Sequence, residues 1–170
     1  MAHIAVLGLG NWGSAIARLW LLEGHKVKGW TIEQEVYESI TMDGMNNKYL
    51  PDHSLEGLEA TMHVEEALDG SEIIVLAIPS SVILNVVEDI IPHLRPGHVL
   101  LDLAKGLAPG KRLISEAINQ MLTDNDMHNP LAVLTGPTIA PEAAGGVMTT
   151  ALVASEDVSV AENLASTLTT

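Results

Sequence analysis

The sequence predicts an α/β domain with a doubly wound, mostly parallel sheet and helices on both faces. Apolar runs of about five residues alternate with longer segments of helical period, which is the rhythm of repeated βαβ units. The run at residues 73–78 is apolar without alternation, as expected of a parallel strand buried on both faces. The chain has 170 residues, 47% of them hydrophobic, which suits one domain with a substantial core. We therefore predict a single domain over residues 1–170.

Seven short apolar runs predict the strands of this sheet. The run at residues 73–78 ends before Pro79, which has no backbone N–H to donate to a neighbouring strand. The region of residues 32–55 is the least periodic part of the chain and carries turn signals such as Asp43-Gly44. In chain order, the predicted strands are residues 4–7, 26–30, 58–62, 73–78, 99–103, 131–134 and 149–154.

Four segments predict helices, because their apolar residues recur every three or four positions. Gly24 is placed to end the first of them. Ser80 or Ser81 is expected to cap the second helix by accepting its free backbone N–H groups. In chain order, the predicted helices are residues 12–22, 82–91, 113–122 and 158–168.

The composition excludes several classes of function. Eight Lys and Arg against 22 Asp and Glu give a net charge of −14, so the surface would repel the phosphates of a nucleic acid. No apolar run approaches the ~18 residues of a membrane span, and the first residues lack a signal peptide, so we expect a cytoplasmic protein. Cysteine is absent and the seven histidines show no ligand spacing, so no metal site is expected.

A glycine motif follows the first predicted strand and opens the first predicted helix. Gly8, Gly10 and Gly13 fit the spacing G-x-G-x-x-G. Such glycines allow a tight turn, close approach of a pyrophosphate to the backbone, and close packing of helix on strand. The helix then offers free N–H groups and the positive end of its dipole to the phosphates. The motif therefore predicts a Rossmann-type dinucleotide site.

Glu33 stands where the dinucleotide fingerprint expects an acidic residue, about 20 positions after Gly13. Its carboxylate would accept a hydrogen bond from a ribose 2′-hydroxyl and repel a 2′-phosphate. No arginine lies between Arg18 and Arg95 to bind such a phosphate. NAD is therefore the expected cofactor, with NADP as the alternative. An equally good interpretation makes Glu33 a solvated residue in the first turn of a helix.

Lys105 directly follows a predicted buried strand and precedes Gly106. Because ligands of open α/β sheets bind at the carboxyl ends of the strands, its ammonium is expected to face the same crevice. The alternative is an ion pair with one of the 22 acidic residues. Gly136 and Thr138 also follow a predicted strand and could present an N–H and a hydroxyl to that crevice.

These residues resemble a known family. Five motifs share the order and approximate spacing of NAD(P)-dependent glycerol-3-phosphate dehydrogenase, over essentially all of the chain. The resemblance implies reversible reduction of dihydroxyacetone phosphate to sn-glycerol 3-phosphate by a nicotinamide cofactor. The motifs are Gly8–Ala17, Asn47–Pro51, Ile78–Ser80, Lys105–Leu107 and Thr135–Glu142.

The resemblance also implies roles for individual residues. Lys105 would contact both cofactor and substrate, while Gly136 and Thr138 would contact the substrate. The other matching positions would contact the cofactor, and they are Asn11, Trp12, Tyr49, Pro79 and Ala140.

The chain departs from the family at two places in its sequence. Trp30 is followed by Thr31, Ile32 and Glu33, where bacterial members often carry a basic residue, which weighs against NADP. Ile139 replaces the usual phenylalanine.

Length is a third departure. Family members continue into a helical domain with a second lysine that is expected to protonate the carbonyl oxygen. This chain stops at Thr170, so the main catalytic lysine is expected beyond Thr170. We therefore expect this chain alone to bind a dinucleotide without dehydrogenase activity, and the full-length parent to be a homo-oligomer, a dimer.

Two alternative functions remain at this point. A dehydrogenase of the 6-phosphogluconate or 3-hydroxyacid type has a similar nucleotide domain and also uses a lysine. A regulatory domain that binds a dinucleotide without catalysis would need no substrate-phosphate lysine. Lys105 and the Gly136–Thr138 loop therefore favour the glycerol-3-phosphate enzyme.

Overall fold

The computed structural model describes residues 1–137 and 139–169 of the chain. Two residues that the sequence analysis used, Thr138 for substrate contact and Thr170 for the end of the domain, lie outside the described residues. The strands are short, and most coincide with the apolar runs of the sequence. They are β1 (His3–Leu7), β2 (Lys26–Trp30), β3 (Met45–Asn46), β4 (Leu50–Ser54), β5 (Glu59–Thr61), β6 (Ile73–Leu76), β7 (Val99–Asp102), β8 (Leu107–Ala108), β9 (Arg112–Leu113), β10 (Leu131–Thr135) and β11 (Leu152–Ser155).

The α-helices alternate with these strands along most of the chain. None of the helices formed by the described residues has the length and apolar character needed to cross a membrane. The helices are α1 (Asn11–Leu22), α2 (Gln34–Asp43), α3 (Val64–Leu68), α4 (Ile83–Ile90), α5 (Ile114–Asp124), α6 (Ala140–Ala144) and α7 (Val158–Leu168).

Seven strands form one central sheet in the order β11-β10-β7-β6-β1-β2-β5. Neighbouring strands are parallel, except that β10 and β11 are antiparallel. The chain builds outward from β1 on one side to β2 and β5, and on the other side from β6 to β7 and β10. The strand order therefore reverses between β1 and β6, and open α/β sheets bind ligands at the carboxyl edge of such a switch point.

Helices cover both faces of the sheet, which confirms the predicted fold class. On one face, side chains of α1 and α7 pack against the side chains of β1, β6 and β7 that belong to that face. The fully buried Trp20 lies among them. On the other face, α3, α4 and α5 pack on the alternate residues of the same strands. Each central strand is thus apolar on both sides, which explains the absence of alternation in residues 73–76.

Some local predictions were wrong. Helix α2 lies in the region of least periodicity, because only Val36 and Ile40 of its residues are buried. The second predicted helix begins at Ile83, and no side chain caps it, so the capping role expected of Ser80 or Ser81 is not realised. The helices α3 and α6 were not predicted. Each has only five residues, too few to show a period.

Candidate cofactor-binding site

The glycine loop joins β1 to α1, and two of its glycines are required by packing. Gly8 has φ +99°, and a Cβ there would lie 2.5 Å from the carbonyl oxygen of Ala77. A Cβ on Gly13 would lie 1.8 Å from the carbonyl oxygen of Gly8. Both positions therefore exclude a side chain whether or not a ligand is bound.

Gly10 has no such constraint. Its φ of −74° suits any residue, and a Cβ built there would meet no protein atom within 4 Å. The first helical hydrogen bond of α1 runs from the Ser14 N–H to the Gly10 carbonyl at 2.9 Å. The N–H groups of Asn11, Trp12 and Gly13 therefore precede the bonded ladder of the helix and are free to donate to an anion.

A cavity of about 620 Å³ opens in front of this loop. It lies at the carboxyl ends of β1, β2, β6 and β7, which is the crevice that the fold predicts. The cavity brings together every residue that the sequence nominated for cofactor binding. These lining residues are Gly8, Gly10, Asn11, Trp12, Gly13, Glu33, Tyr49, Pro79, Lys105 and Ala140.

Lys105 lies at the end of the cavity that follows β7. Gly106 beside it has φ +118°, and its Cβ would lie 3.1 Å from Oγ of Ser80, so the turn after Lys105 favours glycine. Within residues 1–137 and 139–169, no acidic side chain lies within 4.0 Å of the Lys105 ammonium. The ion pair that was the alternative interpretation of Lys105 is therefore not formed by the described residues.

Asp102 was missed by the sequence analysis. It ends β7, is 2% exposed, and accepts a hydrogen bond from the Ala104 N–H at 2.8 Å. Burial disfavours the charged form and raises the pKa of this carboxyl to about 6. This hydrogen bond holds the backbone turn that follows β7 and carries Lys105. An acidic residue inside the apolar run of residues 99–104 was the available signal.

Glu33 lies at the opposite end of the cavity and directly precedes α2. Its hydrogen bond to a ribose hydroxyl stays a prediction. Its carboxylate accepts hydrogen bonds from Nζ of Lys48 at 2.5 Å and from the hydroxyl of Tyr49 at 2.9 Å. These bonds, the one from Lys48 foremost, hold the pKa of Glu33 below its usual range. Glu33 is thus an anchored, ionised acceptor at the rim.

Asn46 was also missed as a site residue. It is fully buried, and its Nδ2 donates to the carbonyl of Leu9 at 2.8 Å and to Oγ of Ser14 at 2.9 Å. Its Oδ1 accepts from the Tyr49 N–H at 3.1 Å. One amide therefore joins the glycine loop, the start of α1 and the loop that carries Tyr49. The sequence indicated only a turn at this position.

Two residues besides Lys105 were nominated for substrate binding, Gly136 and Thr138. Gly136 is not among the residues that line the cavity, and a Cβ there would lie 2.5 Å from the carbonyl oxygen of Thr150. The backbone of Gly136, after β10, packs closely on the backbone of Thr150, before β11, and this packing is enough to explain the glycine. Thr138 lies outside the described residues. Contact of either residue with a substrate stays a prediction.

A family model described as "NAD-dependent glycerol-3-phosphate dehydrogenase N-terminus" matches residues 3–161. The chain belongs to this family. The expected resemblance is therefore confirmed over nearly the whole chain, and it includes the glycine loop and the Lys105 turn.

Members with curated names show how much of the family's length is represented. A glycerol-3-phosphate dehydrogenase [NAD(P)+] of Halothermothrix orenii is 36% identical over 95% of this chain and 47% of its own length. One from Acidobacterium capsulatum is 37% identical over 96% and 50%. The crystal structure of glycerol-3-phosphate dehydrogenase from Coxiella burnetii superposes with a TM-score of 0.92 at 30% identity, over 99% of this chain and 51% of that one. The chain thus spans about half the length of these relatives.

The second lysine is not tested by these matches. The relatives are about twice as long as this chain, which agrees with the expected second half of the family. The catalytic lysine expected beyond Thr170 falls outside the 170 residues of the sequence, and it stays a prediction.

Proposed function

We propose that this cavity binds NAD(H), and that residues 1–170 form the cofactor-binding domain of an oxidoreductase that interconverts dihydroxyacetone phosphate and sn-glycerol 3-phosphate. The observation that carries the proposal is the open side of Gly10. Packing explains Gly8 and Gly13, whereas no contact within the described residues requires glycine at position 10, and the close approach of a ligand explains why it lacks a side chain. The free N–H groups of Asn11 and Trp12 favour an anionic group there, such as a pyrophosphate.

The two ends of the cavity support one orientation of the dinucleotide. Glu33, anchored by Lys48 and Tyr49, would accept a hydrogen bond from the adenosine ribose. The start of α1, in the middle of the cavity, would hold the pyrophosphate. Lys105 and Ala140 at the other end would then contact the nicotinamide half. The bound nicotinamide supplies the hydride, and the chain's own residues bind and orient it.

Lys105 is proposed to hold the substrate. Its ammonium is exposed and lies beside the cavity without an acidic partner among the described residues, so it is available to a phosphate group. A phosphate fixed there would place the rest of a three-carbon substrate beside the nicotinamide end. Gly136 and Thr138 are proposed to complete this subsite. The lysine that protonates the carbonyl oxygen is proposed to lie beyond Thr170, in the second half that the relatives possess.

Calorimetry with three ligands tests the binding proposal. NADH and ADP-ribose should both bind one to one, because both place a pyrophosphate on the glycine loop. AMP has the adenosine but no pyrophosphate, and should bind at least tenfold more weakly than ADP-ribose. Absence of NADH binding at millimolar concentration would contradict the proposal, and so would equal affinity for AMP and ADP-ribose.

An activity assay tests the reaction. The domain joined to the C-terminal half found in its relatives should oxidise glycerol 3-phosphate, and Lys105→Met should raise the KM for that substrate. Oxidation of 6-phosphogluconate or 3-hydroxyisobutyrate instead would assign the chain to a related dehydrogenase. Binding of NADH without turnover of any of the three would indicate a regulatory dinucleotide-binding domain.

The proposal extends to the setting of the reaction. The product sn-glycerol 3-phosphate is the backbone of glycerophospholipids, so we assign the parent protein to phospholipid biosynthesis. A cytoplasmic location of the parent protein is part of the same proposal. We also propose a homodimer for the parent, which light scattering of the longer protein would test.

A further inference from the structure

Three charged side chains form a cluster at the adenosine end of the cavity, which we call the rim cluster: Glu33, Glu35 and Lys48. Nζ of Lys48 lies 2.5 Å from Oε2 of Glu33 and also hydrogen-bonds Oε1 of Glu35. The same Nζ lies 5.4 Å from the centre of the Tyr49 ring. The only basic member of the cluster thus has two acidic partners, and one of them lines the cavity.

The position of Lys48 is fixed by its neighbours in the loop. The buried amide of Asn46 accepts from the Tyr49 N–H, and the Tyr49 hydroxyl donates to Glu33. Lys48 lies between these two anchored residues, so its side chain must emerge at the rim. Its side chain is 41% exposed, which leaves the ammonium free to change partners without unpacking the core.

The charge of the rim cluster decides between two forms of the cofactor. With Lys48 present, the three side chains carry a net charge of about −1, and without it about −2. A ribose 2′-hydroxyl donates to a carboxylate in either case. A 2′-phosphate carries nearly two negative charges and is repelled by each unpaired carboxylate. Lys48 is the one cation of the rim cluster that could leave a glutamate and bind that phosphate.

We propose that Lys48 is a specificity-determining residue that makes the cavity tolerant of a 2′-phosphate. Because of Lys48, the cavity binds NADPH in addition to NADH. This inference rests on the proposed function, because it assumes that the adenosine ribose lies at Glu33. Glu33 favours NADH, and Lys48 reduces this preference by neutralising Glu33 and by exchanging Glu35 for the phosphate. Glu35, 64% exposed, acts as the competitor that holds Lys48 away from the phosphate.

The test compares the dissociation constants of NADH and NADPH in four proteins by calorimetry at low salt. Lys48→Met should weaken NADPH binding at least tenfold more than NADH binding, because the Tyr49 hydroxyl still holds Glu33 in place for the ribose. Glu35→Gln should lower the dissociation constant of NADPH about threefold or more, because Lys48 loses a competing partner. Lys28→Met is the matched control, since it removes the same charge but Lys28 bonds carbonyl oxygens of Glu66 and Asp69 outside the cavity.

Each outcome has a definite meaning. The role of Lys48 would be overturned if Lys48→Met left the ratio of the NADPH and NADH dissociation constants unchanged. The same change of this ratio in Lys28→Met would overturn it as well. A wild type that binds NADH but no NADPH at millimolar concentration would overturn it too. Binding of neither cofactor would contradict the proposed function itself. Circular dichroism and a melting curve of each variant establish that the protein is folded.

Discussion

The loop at residues 44–50 and the segment at residues 136–150 both face the carboxyl edge of the sheet, but they are held very differently. In the first, the buried Asn46 makes hydrogen bonds to three other residues. In the second, no side chain of residues 136–137 and 139–150 hydrogen-bonds another residue that the structure describes. Ile139 and Met148 of that segment are 57% and 96% exposed.

This difference separates the two halves of the proposed function. The contacts that shape the adenosine and pyrophosphate end of the cavity join residues 8–50 to one another and to Thr61, Met62 and Ala77. The segment proposed to contact the substrate is fixed mainly by the packing of α6 on α1, where Arg18 donates to the carbonyl of Ala144 at 3.2 Å. The contacts that shape the proposed cofactor site are therefore made within this chain, whereas the described contacts around residues 139–148 leave large apolar side chains in solvent.

The largest expected effect is at the glycine loop. Gly10→Val should weaken NADH binding at least a hundredfold, about 2.7 kcal/mol, because the branched side chain fills the space in front of the helix N-terminus. The backbone at residue 10 is extended and tolerates valine, so the melting temperature should stay within about 2 °C. Calorimetry and a melting curve measure both. An unchanged affinity would place the pyrophosphate elsewhere.

The next effect concerns Asp102, beneath the turn that carries Lys105. Its pKa is raised to about 6 in the folded protein, so the native state binds the proton more tightly than the unfolded chain. The free energy of unfolding contributed by this group is thus present below pH 4 and lost as the pH rises through 6. Asp102→Asn keeps an acceptor for Ala104 and should stabilise the protein by about 2 kcal/mol at pH 7.5.

The measurement for Asp102→Asn is urea unfolding at pH 4 and at pH 7.5. The variant should have a higher free energy of unfolding than the wild type only at pH 7.5, since the wild-type carboxyl is protonated at pH 4. The exposed Asp124→Asn serves as the control for the loss of one charge. An equal gain at both pH values would mean that ionisation of Asp102 is not what limits stability.

A smaller effect is expected at the amide that organises the adenosine end. Asn46→Ala removes bonds to Leu9, Ser14 and the Tyr49 N–H, and should cost about 1.5 kcal/mol of unfolding free energy. It should also weaken NADH more than tenfold, because the glycine loop and Tyr49 lose their shared anchor. The neighbouring Asn47→Ala, exposed, should do neither. Loss of stability with full affinity would show that Asn46 does not position the site.

The smallest effect is expected in the segment at residues 136–150. Met148→Ser should change the free energy of unfolding by less than about 0.5 kcal/mol, because the side chain is almost fully exposed. The fully buried Leu101→Ala, measured in the same urea series, should cost about 2–5 kcal/mol. If Met148→Ser lowers the free energy of unfolding nearly as much as Leu101→Ala does, the segment is packed in solution.

The sequence predicted the sheet well because the central strands are apolar on both faces, and this pattern is local. It failed for α2, whose burial depends on two residues only, Val36 and Ile40. It placed the start of β11 three residues too early, at residue 149 instead of Leu152, since the exposed residues before the strand differ little from it in composition.

The candidate site was predictable where its signal was local. The spacing of the three glycines and the position of Lys105 after a strand pointed to the middle and to one end of the same cavity. The contacts of Asn46 and Lys48 were not predictable, because they join residues 37 and 15 positions apart in the chain. The absence of arginine near Glu33 indicated that no phosphate partner was present. The structure shows a lysine there instead.

The three tryptophans allow the most direct test of the central claim, that this cavity binds the dinucleotide. Trp12 and Trp30 line the cavity, whereas Trp20 is fully buried and its Nε1 donates to the carbonyl of Leu168 at 3.3 Å. In a ¹⁵N-labelled sample titrated with NADH, the indole signals of Trp12 and Trp30 should shift and that of Trp20 should stay in place, with no shifts in Gly10→Val. Shifts confined to Trp20, or none at saturating NADH, would contradict the account.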